Sequence, residues 1–503
     1  MKGQRTLLIK GAVWVSAASA LVNLLGVVSL LVLTRLLMPD DFGLMAIGSA
    51  FAEIITMMTE LSLATALVQR RDLKPAHFHT AFTLNAIRGC IVGTLMLFAA
   101  PLLADAYGDP RLTAIIQALA ISTFAGGLTN PKLILFQRDL DFSKTFIMQV
   151  CNRLMQFVVT ITIAFLYQSY WALVIGIVAS SLTTLVLSYV LIPYRPRFSL
   201  SAWRDLLSFS IWLTLGAWVQ TLNWRAQPLV YGFFLSTPVL GQYNVGRRLA
   251  GRTIRQATVP IKAILFPAFS KLQEHQDRLR SGYMRSQGTI CLITFPVVAI
   301  FVVLAELLVP IALGEKWLPA VPVVQLLATS QIAQSMQNVN ALATATANTK
   351  ALFFRDIRAF LVRWPLVLGG LLVGGDDPFE KLVGALIGQV LGAAINCLWN
   401  MQLIAKISEV SLRDHMTIIW RPLLAAITMG IIMGLAHNLV PPSENFIDKA
   451  MRLLALMALG AATYISTLFV IWSFTGRGES VEKEVGMIIR QLVMKAIARV
   501  RTS

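Results

Sequence analysis

Five basic residues fall within one sixteen-residue stretch: Arg247, Arg248, Arg252, Arg255 and Lys262. A guanidinium is a planar fork that donates two parallel hydrogen bonds to a phosphate or carboxylate, so arginine repeated at close spacing points to capture of an anion. Wound as an α-helix, Arg248, Arg252, Arg255 and Lys262 occupy an arc of roughly 80° over about 20 Å, with Arg247 beside that stripe.

Two further sets carry polar chemistry. Glu53, Thr56 and Glu60 share a helical face with the acids at i and i+7; each acid either neutralises a nearby arginine or carries a coupling cation, H⁺ or Na⁺. Gln220, Asn223 and Gln227 share another face, from which Arg225 points away unless a bend at Pro228 redirects it. Gln331, Gln334, Ser335 and Asn338 follow i, i+3, i+4, i+7. Amides at this spacing either bond neighbouring helices or meet sugar hydroxyls.

The elements that must hold these groups are transmembrane helices. The chain is 56% hydrophobic and only 14% charged, with mean hydropathy +0.69, far from the roughly 25% charged residues of soluble domains. A soluble multidomain enzyme lacks the polar surface it would need here. A bilayer core of about 30 Å takes roughly 20 apolar residues per helix, and about fourteen such stretches run from 10–33 to 453–474. The basic residues Lys2, Arg5 and Lys10 precede an apolar run that continues to Leu33, too long for a cleaved signal peptide, so it reads as the first span.

The net charge of +18 comes from 43 basic and 25 acidic residues. With a cytoplasmic N-terminus, 27 of the 43 lie in cytoplasmic segments, and only Arg35, Arg111, Lys316, Lys381, Lys449 and Arg452 lie opposite. This loop-by-loop bias is the positive-inside pattern, and it puts both termini in the cytoplasm. The basicity is therefore topological, and nucleic acid is not implied. Ten basic residues remain inside spans: the five above with Arg88, Arg153, Arg225, Arg363 and Arg421. A central arginine costs at least about 2.5 to 3.5 kcal/mol to insert. Glu53, Glu60 and Glu306 are too few to neutralise ten cations, so the stripe is expected to line a water-filled cavity that receives an anion.

A weak internal repeat organises the spans. Asp40-Asp41-Phe42-Gly43-Leu44 follows the first span, Val239-Leu240-Gly241-Gln242-Tyr243 follows the seventh, and their glycines are 198 residues apart. Six helices between corresponding points leave the copies in the same orientation, a parallel repeat about an axis along the membrane normal. The fold expected is an all-α polytopic membrane protein: an N-lobe over 1–200 (spans 1–6), a C-lobe over 201–410 (spans 7–12), both around a central cavity, and two further spans over 411–475. Residues 476–503 follow as a basic amphipathic helix on anionic phospholipid of the cytoplasmic leaflet. Pro228, Pro260, Pro267 and Pro296 are candidate kinks. Cys90, Cys151, Cys291 and Cys397 read as packing residues. His77 and His79, without further ligands nearby, read as loop residues and not as a metal site.

Two runs carry a family resemblance. Thr34-Arg35-Leu36-Leu37-Met38-Pro39-Asp40-Asp41-Phe42-Gly43-Leu44-Met45-Ala46, followed by Ala66-Leu67-Val68-Gln69-Arg70, and Leu313-Gly314-Glu315-Lys316-Trp317-Leu318-Pro319-Ala320-Val321-Pro322-Val323 resemble bacterial polysaccharide transporters of the Wzx type. These belong to the multidrug/oligosaccharidyl-lipid/polysaccharide exporter superfamily. The resemblance implies a flippase that moves undecaprenyl-pyrophosphate-linked oligosaccharide repeat units across the bacterial inner membrane by alternating access, for exopolysaccharide or O-antigen synthesis. It is a transporter and not an enzyme, with no cofactor beyond an H⁺ or Na⁺ gradient, and a polysaccharide polymerase complex is an expected partner.

On that expectation Arg248, Arg252, Arg255 and Lys262 hold the pyrophosphate, and Arg225, Arg88, Arg153 and Arg247 are further cavity candidates. Gln220, Asn223, Gln227, Gln331, Gln334 and Asn338 face sugars, while Glu53 and Glu60 couple the ion. The alternatives are a cation-coupled drug exporter, disfavoured by the arginine excess, a glycosyltransferase or polymerase, disfavoured by the lack of an acidic cluster or large loop, and the lipid II flippase branch.

Overall fold

The computed structural model describes residues 2–60, 63, 67, 72–138, 142–204, 218, 221–223, 225–346, 348–439 and 445–475. The tail helix expected over 476–503, Gln220 and most of the expected span 207–234 lie outside the described residues. Arg252 and Arg255 have described backbone only.

Among the described residues every regular element is a helix. In chain order they are α1 (Lys2–Leu36), α2 (Pro39–Met58), α3 (Pro75–Tyr107), α4 (Arg111–Gly127), α5 (Phe142–Tyr167), α6 (Trp171–Leu191), α7 (Gln227–Phe234) and α8 (Thr237–Leu272). They continue with α9 (Gln276–Val303), α10 (Ala305–Leu313), α11 (Val321–Ser335), α12 (Val339–Ala345), α13 (Thr349–Val373), α14 (Pro378–Ser408), α15 (Leu412–Leu439) and α16 (Phe446–Phe474). Two compact units, Met1–Asn244 and Val245–Ser503, divide within α8.

Nine described helices have the length and apolarity to cross a bilayer: those in α1, α2, α3, α5, α6, α9, α14, α15 and α16. Their outer faces are apolar, with Phe98, Leu102, Leu166, Val190 and Phe469 each more than 60% exposed. In water such faces would have to be covered; in hydrocarbon they are at home. The protein is a multi-pass membrane protein. Of the expected spans, 112–131 is the shorter α4 of 17 residues, and 359–373 is the C-terminal part of α13, which starts at Thr349. That earlier start takes Arg355 out of the expected cytoplasmic loop and buries it in α13, where its Nη2 meets Asp356 Oδ1 at 2.6 Å.

Helix ends in the first unit show why the Pro39–Gly43 run matters. Pro39 opens α2 with its φ preset, and Asp41 in the first turn accepts the Met38 N–H at 2.8 Å, a carboxylate at the positive end of the helix. The other Asp41 oxygen accepts the Tyr170 N–H at 2.9 Å and so fixes α2 to the entry of α6. Gly43 meets the first turn of α8: a methyl there would overlap the Thr237 carbonyl oxygen and lie 2.7 Å from its carbon. Gly241 reciprocates, since a methyl on it would overlap the Pro39 carbonyl oxygen and again lie 2.7 Å from its carbon. Thr237 is 198 residues after Pro39, the same offset that separates the glycines. Such a reciprocal contact, residue i on j and j on i, is what a two-fold relation between the two segments produces.

An Asp–Arg–Asp cluster closes the same end of this unit. Arg111 donates through Nη2 to Asp109 at 2.7 Å and through Nη1 to Asp40 at 2.6 Å. These bonds hold the Asp109 carboxyl below its ordinary value of 3.8 and push the Arg111 guanidinium further up. Because the folded value is depressed, the stability from Asp109 is present above pH 3.8 and fades as pH falls through the lower folded value. D109N is therefore expected to cost about 1 kcal/mol for this partly exposed network at neutral pH. Measured by thermal midpoint, the gap between wild type and D109N should close only below about pH 4; a gap that is already absent at neutral pH contradicts the contribution.

In the second unit α13 and α14 approach backbone to backbone, because Gly370, Gly384 and Gly388 leave no room for a methyl against Gly384, Gly370 and Leu366 respectively. Small residues spaced by four along α14 allow the close packing that holds helices together in lipid. Beside them, Cys291, Phe295, Cys397, Met401, Met429, Met433 and Tyr464 form a buried core of α9, α14, α15 and α16. The packing role expected of the cysteines holds for Cys291 and Cys397, whereas Cys90 is exposed.

Candidate functional site

Helix α8 runs over 36 residues with six basic side chains and no acid. It starts five residues before the expected span 242–266 and ends six after it. Arg248 therefore lies about 16 Å along the helix from Thr237, and α8 is not among the nine described helices apolar enough to cross a bilayer by composition. The helix thus starts earlier than the expected span, not later. Arg252 and Arg255 follow one and two turns further on, and the exposed Lys262 lies roughly 37 Å from the start of the helix. Arg247 and Arg248 are both half-buried. Pro260 and Pro267 leave the helix uninterrupted, as Pro296 does α9.

Glu53 in α2 and Glu60, which lies two residues past the end of α2 and so off the expected helical face, each find an arginine. Arg225 Nη1 donates to Glu53 Oε2 across 172 residues of sequence, with both side chains 48% exposed. Next to this pair, Thr221 Oγ1 donates to the Met57 sulfur at 3.4 Å. Glu60 lies close enough to Arg88 to act on it electrostatically. Arg153 instead donates to the neutral Gln156 at 2.6 Å. The pairing of Glu53 with Arg225 makes a direct prediction: E53Q and R225Q are each expected to lower the thermal midpoint by the equivalent of about 1 kcal/mol, and the double variant by less than their sum. Strict additivity in that double-mutant cycle would show that the two groups do not interact.

The amide faces separate into two kinds. Asn223 and Gln227 are buried, and Gln227 Nε2 donates to the Tyr231 hydroxyl at 2.8 Å. The chain bends at Ala226, just before Pro228 at the start of α7, and Arg225 emerges on the exposed side. The expected single span 321–346 is broken: α11 ends at Ser335 and α12 begins at Val339, with Asn338 off helical register. Gln287 of α9 makes the break tolerable. Its Nε2 donates to the Ser335 carbonyl at 2.5 Å and its Oε1 accepts from Asn338 Nδ2 at 2.9 Å, so the non-helical backbone is satisfied inside protein. Asn338 is thus committed to Gln287, whereas the half-buried Gln331 and Gln334 make no side-chain hydrogen bond among the described residues.

The two histidines expected in a loop lie instead in the first turns of α3, where the chain is already helical from Pro75, and have structural tasks. His77 Nδ1 accepts the Lys74 N–H at 2.9 Å at the start of α3, and His79 Nδ1 lies 3.0 Å from the Tyr194 hydroxyl. Burial, with a smaller effect of neighbouring Tyr189, pushes the Tyr194 phenol up to about 12, so it stays neutral and able to donate.

This arrangement has relatives. The lipopolysaccharide biosynthesis protein WzxC of Escherichia coli is 26% identical over 439 residues, covering 84% of this chain and 88% of that protein. The succinoglycan biosynthesis transport protein ExoT of Rhizobium meliloti is 24% identical over 441 residues, covering 86% and 87%. The fold is that of the lipid II flippase MurJ in its inward closed conformation, with a TM-score of 0.72 at 14% identity over 92% of this chain and 99% of that one. A family described as "Polysaccharide biosynthesis protein" matches residues 32–322. That stretch is more than half of the chain and holds the Pro39–Gly43 run, the Gly43–Gly241 crossing, the paired acids Glu53 and Glu60 and the whole of α8; by this match the chain belongs to the polysaccharide biosynthesis protein family.

Proposed function

We propose that this protein is a flippase for polyprenyl-pyrophosphate-linked oligosaccharide repeat units, working by alternating access in the bacterial inner membrane with both termini in the cytoplasm. The observation that carries the reading is α8, an unbroken helix with six basic residues and no acid. A helix of this kind is costly in lipid unless it serves an anion, and a pyrophosphate offers the oxygens that arginine forks bind best. Arg248, Arg252 and Arg255 are assigned to the pyrophosphate, with Lys262 at the outer end of the stripe where the anion first arrives from the cytoplasm. Gln331 and Gln334, whose amides are unengaged among the described residues, are assigned to sugar hydroxyls.

A gradient-coupling role fits Glu53 within the same reading. A coupling cation taken up at Glu53 would compete with Arg225 for the same carboxylate. A drug exporter for cationic compounds fits less well, because α8 repels them and Glu53 and Glu60 both face arginines. The transport names of relatives support a role as a carrier and not as a catalyst.

The test is the lipid-linked intermediate left in a deletion strain. Complete repeat units are expected to accumulate on the carrier lipid and to stay in the cytoplasmic leaflet. Failure of the repeat unit to assemble would assign a synthetic enzyme in place of a flippase.

A further inference from the structure

The first unit contains a cavity of about 400 Å³ between α3, α4 and α5, closed on one side by the segment Pro131–Leu133 and the helical turn Ile134–Arg138. It lies on the face that the charge bias puts in the cytoplasm, and none of its lining residues comes from α8. None of its lining residues is ionisable. Small-ligand sites have volumes of roughly 300 to 1,000 Å³, so a mono- or disaccharide fits.

Two lining amides are locked. Asn130 donates through Nδ2 to the carbonyls of Ser188 and Ile192, both at 2.9 Å, and accepts the Lys132 N–H at 2.9 Å. Asn152 donates to Thr184 and accepts from Ser180. Both are thereby fixed to α6 as a rigid wall. Three other polar side chains on the lining, the amides of Asn85 and Gln149 and the hydroxyl of Thr145, make no hydrogen bond among the described residues. Asn85 comes from α3, and the other two lie one turn apart on α5. Phe136 and Met148 add apolar surface between them. The nearby ammonium of Lys144 is held 5.2 Å from the Phe136 ring centre and does not line the cavity.

Unengaged amides and a hydroxyl, a fixed polar wall, an aromatic ring and no charge match a neutral polyol, whose hydroxyls bond amides while its C–H face lies on the ring. An anion or cation would find no counter-charge there. We propose that this cavity is a cytoplasmic-side binding subsite for one or two neutral hexose units, with Asn85, Thr145 and Gln149 as the donors and acceptors that meet them. The flippase reading supplies only the source of the sugar; binding itself does not depend on it.

The experiment is saturation-transfer NMR on the detergent-solubilised full-length protein with glucose, galactose, N-acetylglucosamine and cellobiose as probes. At least one sugar is expected to receive saturation from the wild type. The signal should fall about tenfold in N85A/Q149A, which removes the bonding groups, and in M148W, which fills the space. The variants are compared at matched thermal midpoints, and M148W decides if the amide double variant does not fold. No transfer to any sugar, equal transfer in wild type and variant, or transfer only to glycerophosphoethanolamine, marking a lipid headgroup site, would overturn the proposal. Sugar binding without translocation of lipid-linked glycan would count against the flippase reading alone, and translocation without this binding against the cavity alone.

Discussion

Replacing both Arg252 and Arg255 by alanine is expected to abolish glycan export while leaving the protein folded in the membrane. The two residues sit one and two turns beyond Arg248 on α8. Each hydrogen bond to a charged group is worth about 1.5 to 3 kcal/mol, so losing the pair should weaken capture of a pyrophosphate roughly a hundred- to ten-thousand-fold. Removing two cations from a helix with six basic residues and no acid relieves like-charge repulsion, so protein levels should hold or rise. The lysine pair R252K/R255K should fall between, because an ammonium keeps the charge but not the two-pronged fork. Secreted polysaccharide from a complemented deletion strain, normalised to immunoblotted protein, reads the effect. Full complementation by the double alanine variant would remove the anion role from α8.

The second large effect is on the crossing of α2 and α8. In G43A and in G241A the added methyl overlaps a backbone carbonyl, of Thr237 in one case and of Pro39 in the other. Neither obstacle is a flexible side chain, so the helices must move apart. Their separation also strains the Asp41 bonds to Met38 and Tyr170. Each variant is expected to lose about 3 kcal/mol or more, the upper end for overpacking. Because both methyls force open one crossing, the double variant should lose less than the sum. Gly369 supplies the control: nothing lies within 4 Å of a methyl there, so G369A should change the thermal midpoint little. A midpoint for G43A equal to wild type would mean that the crossing tolerates separation.

Several of these features were legible in the residues alone. The cationic stripe of α8 follows from spacing, because helical geometry is periodic whatever surrounds it. The multi-pass membrane character follows from hydropathy, because apolar stretches long enough to cross a bilayer are read directly from the residues. Gly43 and Gly241 are visible as an equal offset, yet their contact is not, since pairing across 198 residues leaves no local trace. The Glu53–Arg225 bond is hidden for the same reason; the acid pair Glu53 and Glu60 announces a need for cations without naming which of ten supplies it. Most opaque is the break after Ser335. Gln331, Gln334, Ser335 and Asn338 keep helical periodicity straight through it, and only Gln287, about 50 residues earlier in the chain, makes the interruption affordable by satisfying its backbone and Asn338. Arg355 was hidden differently, because a charged residue between apolar stretches reads as a loop even where a helix continues through it.

The central claim is that α8 receives the pyrophosphate of a lipid-linked glycan. Its most direct test is translocation in proteoliposomes holding the purified full-length protein, with two fluorescent probes of one glycan, linked to one polyprenol either through pyrophosphate or through an uncharged glycosidic bond. Leaflet exchange of the pyrophosphate probe is expected to be fast, lost in R252A/R255A, and much faster than that of the uncharged probe. Equal exchange of both probes, or exchange that survives in R252A/R255A, would contradict it.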